Sequence, residues 1–498
     1  MERLRSTARG QEAEEPQATV LAWEERSDLL VHALAQLPDD LRLQIEPNHP
    51  DIELVDLLTS AYGIRDQVDL AATSRSGQHG LVLCSSAPCE AVTSPAFQPP
   101  IPMATLIESL SRTQVSPPEH RSGDPYLTGQ RIAIVTNLPT HYRVPLFNSL
   151  SRRFQSEGAK LRVLFLARTS AGRSWIRPGT FSFDHAYLRG IDLMGKQGRR
   201  VIPFDLEREL RSFAPTVIVS AGLSPFVSGR VAHFARRRRL PCGIWSGEIA
   251  SRRSARGKLR HWQRRHLLRH LDFGLAYGVE SMRYFRTLKP ELPVVLARNS
   301  AAIPPSRERP DRPTPVELLT VARAERGKAL DVIVHAVRRR KDLDCRLTVI
   351  GDGPQLPVLK ELANGDERIR FLGSLPSDQA RLSFSQADVF LFPSRYDIFG
   401  LVLVEAMGSG LAAIVSEEPG AVADLCVSGV NSLIVKSGGV DDWGAALSRV
   451  IEDHEFRLSL GEAAAQTIRK RWTIEHAAEA MLAGVRLGVR IGRLERHR

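Results

Sequence analysis

Two carboxylates, Asp397 and Glu405, stand eight positions apart in SRYDIFGLVLVEAMGSGLAAIV, residues 394–415. They flank a Phe-Gly turn between the apolar run ADVFLFPS, which reads as a strand ending near Ser394, and an amphipathic segment that reads as a helix over 400–409. Gly410 closes that helix before a second apolar run, LAAIV. A strand-loop-helix junction turns backbone N–H groups and the positive end of a helix dipole toward the loop, where a phosphate can sit. One acid in the loop and another on the first helical turns can hold sugar hydroxyls beside that phosphate. The chemistry these residues point to is binding of a nucleotide sugar.

A pair of opposite charge lies upstream. In LLTVARAERGKALDVIVHAV, residues 318–337, the pattern predicts a strand, a short turn and a helix, with Arg323 and Lys328 five apart across the turn. Between the two pairs, RLTVIGDGP (346–354) and RIRFLGSLP (368–376) read as strands ending in Gly turns, where glycine permits close backbone approach. In this order the four signals resemble family-4 glycosyltransferases. Their E-x7-E signature runs as an acid, any residue, FG, an apolar stretch, EA and a small-residue turn. Asp397 stands where Glu is commoner, Ala329 where Gly is usual, and Ala322 departs in the position before Arg323.

The resemblance is specific over 318–425 and extends over 128–480. It implies an α/β protein of two Rossmann-like lobes with an interlobe cleft, the GT-B architecture. It also implies a metal-independent, retaining transfer of sugar from a nucleotide-diphosphate sugar to an acceptor hydroxyl, with no cofactor. Arg323 and Lys328 would grip the donor diphosphate, whose charge grows as the anomeric C–O bond breaks. Losing one such group costs roughly 100- to 1000-fold, by analogy with oxyanion donors. Glu405 would hold the ribose hydroxyls and Asp397 the transferred sugar. Gly353, Phe399, Gly400 and Leu401 would complete the donor site. On the acceptor side His141 and Arg143, in NLPTHYRVPLFNSL, and Glu248, after GIWSG, are candidates, although the Gly-rich form of the first loop is missing. Two other readings stay open: a lobe pair that binds without catalysis, and a nucleotide-sugar epimerase of the same architecture.

Composition bounds the classes. The chain has 498 residues, 43% hydrophobic and 25% charged, ordinary for a globular protein. No run of 18 apolar residues predicts a spanning helix, and MERLRSTARGQEAEEP lacks a secretory core. Cys84, Cys89, Cys242, Cys345 and Cys426 are few and scattered, which predicts reduced thiols in a cytoplasmic protein. The net charge of +12 is uneven: residues 236–270 hold twelve Lys and Arg against Glu248 alone, whereas residues 1–125 hold nine Arg against nineteen acids. Within the basic window, RGKLRHWQRRHLLRHL (256–271) reads as a helix with Leu259, Trp262, Leu267 and Leu271 among Arg. It suits an anionic membrane surface, at the inner face of the plasma membrane beside a lipid-linked or glycan acceptor. Equally, its apolar stripe suits docking on the core. Seven Tyr without a stacking motif argue against nucleic acid.

From Arg131 onward strands and helices alternate, which predicts parallel sheets. The first, acceptor-side lobe spans 126–302, a Pro- and Arg-rich linker 303–315, the nucleotide-sugar lobe 316–471 and a terminal helix 472–498. The acidic extension, 1–125, reads as a degenerate partial donor-lobe copy followed by a Pro- and Ser-rich linker. Asp28, Val31, His32 and Ala33 line up with Asp331, Val334, His335 and Ala336 and, after a one-residue gap, Arg42-Leu43 with Arg346-Leu347; convergent helix-turn-strand patterning is the rival reading. Pro47-Asn48 replaces the Gly-Asp-Gly turn, so no diphosphate site is expected there. Its charge suggests docking on the basic segment.

Overall fold

The computed structural model describes residues 127–168, 179–195, 198–250, 255–304 and 315–496, together with four strands before residue 86. The chain divides into two compact units, 1–121 and 122–498.

In the first unit β1 (Thr19–Ala22), β2 (Leu43–Glu46), β3 (Val68–Arg75) and β4 (Gln78–Ser85) pair in the order β1-β2-β4-β3. β1 and β2 run parallel, and β4 is antiparallel to both its neighbours. Leu43 opens β2, but the positions Asp28 to Ala33, Arg42 and Pro47-Asn48 of the expected copy lie outside the described residues, as does 86–125. The β3–β4 ribbon has no counterpart in the six-stranded sheet of residues 316–435, whose strands all run parallel.

The second unit opens with β5 (Arg131–Thr136), α1 (Arg143–Ser156), β6 (Lys160–Phe165), β7 (Asp184–Tyr187) and a ribbon of β8 (Gly190–Gly195) and β9 (Gly198–Pro203). It continues through α2 (Leu206–Phe213), β10 (Val217–Ala221), α3 (Val227–Arg237), β11 (Cys242–Ser246), α4 (Ala255–Leu268), β12 (Phe273–Ala276), α5 (Val279–Leu288) and β13 (Val294–Leu296). Seven of these strands form one parallel sheet in the order β13-β12-β11-β10-β5-β6-β7. Runs such as RIAIVT and CGIWS are apolar on both sides because helices cover both faces.

The second lobe holds β14 (Val316–Val321), α6 (Leu330–Arg339), β15 (Cys345–Ile350), α7 (Leu356–Ala363), β16 (Ile369–Gly373), α8 (Ser377–Phe384) and β17 (Val389–Phe392). α9 (Leu401–Gly408), β18 (Ala412–Ser416), α10 (Val422–Leu425), β19 (Leu433–Val435), α11 (Val440–Glu452) and α12 (His454–Arg471) follow. Its sheet order is β16-β15-β14-β17-β18-β19. Alternation along each strand feeds two cores: Val389 and Leu391 of β17 enter one cluster, Phe390 and Phe392 the other. In both sheets the order reverses beside the first strand, between β5 and β10 and between β14 and β17. Such switch points open a crevice at the carboxyl ends of the strands. Residues 305–314 of the linker lie outside the described residues.

α13 (Ile474–Arg496) returns to the first lobe, where Ala477, Ala478, Met481, Leu482, Val485 and Val489 join its core. A Cβ on Gly484 would stand 2.1 Å from Leu275 Cδ2 and one on Gly488 2.4 Å from Phe273 Cε1, so the glycines let the helix lie close on the sheet. A second tie is Asp424 of α10. Its carboxylate accepts from Val279 N–H at 3.0 and 3.1 Å and supplies the capping side chain that Gly278 lacks at the start of α5.

The basic segment splits its apolar residues. Leu267, Leu268 and Leu271 are buried in the first-lobe core, whereas Leu259 and Trp262 are 57% and 64% exposed. Among the described residues no helix is long and apolar enough to cross a membrane. Cys242, Cys345 and Cys426 are free thiols, and burial raises the pKa of each.

Candidate active site

The carboxyl ends of both sheets face one cavity of about 780 Å³. Its second-lobe wall is built by the loops after β14, β15, β16 and β17 together with α8 and the start of α9. Gly400, at φ 94°, sits just ahead of α9, and a Cβ there would stand 2.6 Å from Phe392 Cζ. Glycine alone allows the chain to turn sharply from loop to helix with its first N–H groups toward the cavity. Phe399 is buried and its N–H donates to Asp397 Oδ1 at 3.4 Å.

Asp397 is held by Lys328, whose Nζ donates to Oδ2 at 2.6 Å. Lys328 ends a 3₁₀ turn, Arg326–Lys328, and Ala329 follows in the left-handed conformation at φ 49°. That conformation explains why Gly is usual there; for Ala it costs roughly 1–2 kcal/mol. Arg323 instead pairs with Glu325 Oε1 at 3.1 Å, both side chains being about half exposed. The Gly-Asp-Gly turn has a packing reason. A Cβ on Gly351 would lie 1.8 Å from the Ala322 carbonyl oxygen and one on Gly353 2.6 Å from that of Ala324. The two loops touch through backbone, joined by Ala324 N–H donating to Asp352 O at 3.1 Å.

Glu405 lies on the second turn of α9, 8% exposed, with Oε1 shut from solvent and without a hydrogen-bond partner. Burial pushes its pKa up to about 7, against a smaller lowering by Arg381. His141 Nε2 stands 4.0 Å away across the cleft. Burial, then Arg381, lowers the His141 pKa to about 4, so at neutral pH the imidazole is uncharged and the two groups form no ion pair.

Arg323, Lys328, Gly353, Asp397, Phe399, Gly400, Leu401, Glu405, His141 and Arg143 therefore line one cavity. Glu248 does not. Its carboxylate pairs with Arg264 of α4 at 2.8 Å, a partner sixteen positions along the chain. Sequence reasoning missed Arg381 of α8, which lines the cavity, and Tyr277 and Asn299, which lie just after β12 and β13 of the first sheet. A single Arg on a polar helix carries no signal in the sequence; only its proximity to His141 and Glu405 singles it out.

Two parallel-sheet lobes around such a cavity define the GT-B fold. HepE of Anabaena, solved in complex with UDP, superposes with a TM-score of 0.55 at 15% identity, covering 72% of this chain and 99% of its own. The lipopolysaccharide outer core galactosyltransferase WaaB gives 0.54 at 15% identity, with the same shares. At that identity the likeness speaks for the fold. Residues 304–467 match the family Glycosyl transferases group 1. Over 168 residues the chain is 29% identical to sulfoquinovosyl transferase SQD2 of Arabidopsis thaliana, covering 33% of this chain and 32% of that protein. Over 158 residues it is 35% identical to a D-inositol 3-phosphate glycosyltransferase of Corynebacterium aurimucosum, covering 29% and 37%. The chain thus spans about a third of the length of these curated relatives.

Proposed function

We propose that this protein is a family-4 glycosyltransferase that moves a sugar from a nucleoside-diphosphate sugar to an acceptor hydroxyl with retention of configuration. One observation carries the reading: Lys328, Arg323, Asp397 and Glu405 converge on a single cavity at the switch points of two parallel sheets. The similarity of 304–467 to group 1 glycosyl transferases supports it.

The diphosphate lies against Lys328 and the start of α9. The Lys328 ammonium has three donors, so it can keep Asp397 and still reach phosphate oxygens. The Arg323 fork swings from the exposed Glu325 carboxylate to the phosphates. Glu405 accepts from the ribose hydroxyls, and Asp397 holds a hydroxyl of the transferred sugar. The bond from anomeric carbon to phosphate oxygen breaks as the acceptor oxygen bonds on the same face. The acceptor proton passes to the departing phosphate. Side-chain cations, rather than a divalent metal, take up the leaving-group charge.

A thermal-shift screen of nucleoside diphosphates and their sugars, followed by a transfer assay on the best donor, tests this. Stabilisation by at least one nucleotide and product formation are expected. No shift with any of them overturns the reading.

The acceptor is presented at an anionic membrane surface on the cytoplasmic side. In support, Leu259 and Trp262 project from α4 one turn apart beside exposed Lys258, Arg260 and Arg265. Vesicles rich in anionic lipid should co-sediment the protein and neutral vesicles should not. Trp262→Ala should cut binding about tenfold through lost apolar burial.

A further inference from the structure

The first-lobe wall of the cavity carries a charge that no carboxylate among the described residues pairs with. Arg143, the first residue of α1, lays its guanidinium 3.7 Å above the ring centre of Trp245, with the Tyr277 ring 5.1 Å and the Tyr142 ring 5.8 Å away. Nη2 donates to the Tyr277 hydroxyl, which fixes the fork. Nη1 is shut from solvent and meets no acceptor. Two more buried donors in the same cluster, Trp245 Nε1 and Thr140 Oγ1, also lack partners. Among the described residues no carboxylate comes within ion-pair distance of Arg143, in contrast to Arg323, Lys328 and Arg264.

Half-burying a guanidinium without a counter-charge costs solvation, and stacking on rings offsets only part of that. Packing alone would be served better by Leu or Met. A guanidinium held by a hydroxyl over an indole, with no carboxylate beside it, is a fixed positive charge at the cavity wall that an anion can pair with. The donor diphosphate has its own cations on the opposite lobe. We infer that Arg143 binds an anionic group, a phosphate or a carboxylate, on the acceptor substrate. This rests on the glycosyl-transfer reading of the same cavity and adds the acceptor's chemical class to it. The acceptor hydroxyl is then positioned from the first lobe by a charge as well as by shape.

The test holds the protein saturated with the nucleoside diphosphate that stabilises it most. Glycerol 1-phosphate and glucuronate are then titrated by calorimetry against their uncharged counterparts, glycerol and glucose. The anionic probes should bind at least about tenfold more tightly than the neutral ones, the scale of a charge-assisted hydrogen bond. Arg143→Gln should erase that margin and leave nucleotide affinity within about threefold. Tyr277→Phe, which frees the fork but keeps its charge, should shrink the margin; it carries the test if Arg143→Gln does not fold. An unchanged margin in a folded Arg143→Gln, or equal binding of charged and neutral probes by the wild type, overturns the inference. Loss of nucleotide affinity with the margin intact also overturns it, and moves Arg143 to the donor. Failure of every nucleotide to bind removes the glycosyl-transfer reading instead. The same four probes on the free protein then decide the anion site by the same margin.

Discussion

The two walls of the cavity hold their charges differently. On the second lobe each predicted cation already has a carboxylate: Lys328 has Asp397 at 2.6 Å and Arg323 has Glu325 at 3.1 Å. On the first lobe Arg143 has aromatic rings and, among the described residues, no acid, and His141 is neutral. A pre-paired cation leaves the empty site electrostatically settled, and an incoming phosphate must compete with the carboxylate. This suits a ligand that arrives highly charged and leaves more so. A cation stacked on rings meets no competitor. It suits a more weakly charged group that must be found by one interaction.

The sharpest way to break this contrast is Lys328→Ala. It should lower turnover roughly 100- to 1000-fold while the protein stays folded, since Lys328 is partly exposed. Turnover at the wild-type level would show that the pre-paired cation does no chemistry.

Next in size is Glu405→Gln, read by pH. The raised pKa of Glu405 means the folded state favours the proton, so its stabilisation is full below the unfolded value of 4.5 and is lost as pH rises through about 7. His141 acts oppositely: with its pKa lowered from 6.5 to about 4, stability is lost as pH falls through that window. The two slopes oppose one another in the wild type. Glu405→Gln removes one of them, so its stability relative to wild type should climb between pH 4.5 and 7, by an amount on the order of 3 kcal/mol. Denaturant titrations at several pH values would show it; a difference independent of pH would place the Glu405 carboxylate in water.

The smallest effect is expected of Glu325→Ala. Removing an exposed partner worth about 0.2–1 kcal/mol should free Arg323 and tighten nucleoside-diphosphate binding by up to about fivefold. Weaker binding would mean that Glu325 orients Arg323 rather than competing for it.

Much of this site was legible before any coordinates. Asp397, Glu405, Arg323 and Lys328 lie in short stretches whose strand-turn-helix pattern places them at carboxyl ends of strands. The apolar runs from 131 to 299 correspond to β5, β6, β10, β11, β12 and β13. β7 was not legible, because DHAY has neither an apolar run nor alternation and is a strand only by pairing with β6. The Gly-Asp-Gly turn is visible in the sequence, but its reason, a neighbouring backbone oxygen 1.8 Å from a would-be Cβ on Gly351, is not. α4 divides its apolar residues: the same helix docks through Leu267 and exposes Trp262. Periodicity marks apolar positions, and the neighbouring helices settle which of them are covered.

Elements, turn glycines and the spacing of like functions came from residues within a few turns of one another, where backbone geometry leaves few choices. The pairings did not. Lys328 meets Asp397 across 69 positions and Arg143 meets Tyr277 across 134, while Glu248 pairs with Arg264 instead of lining the cavity. A charge's meaning depends on what lies within a few ångströms of it, and the chain brings those neighbours in from distant segments only when the sheets close.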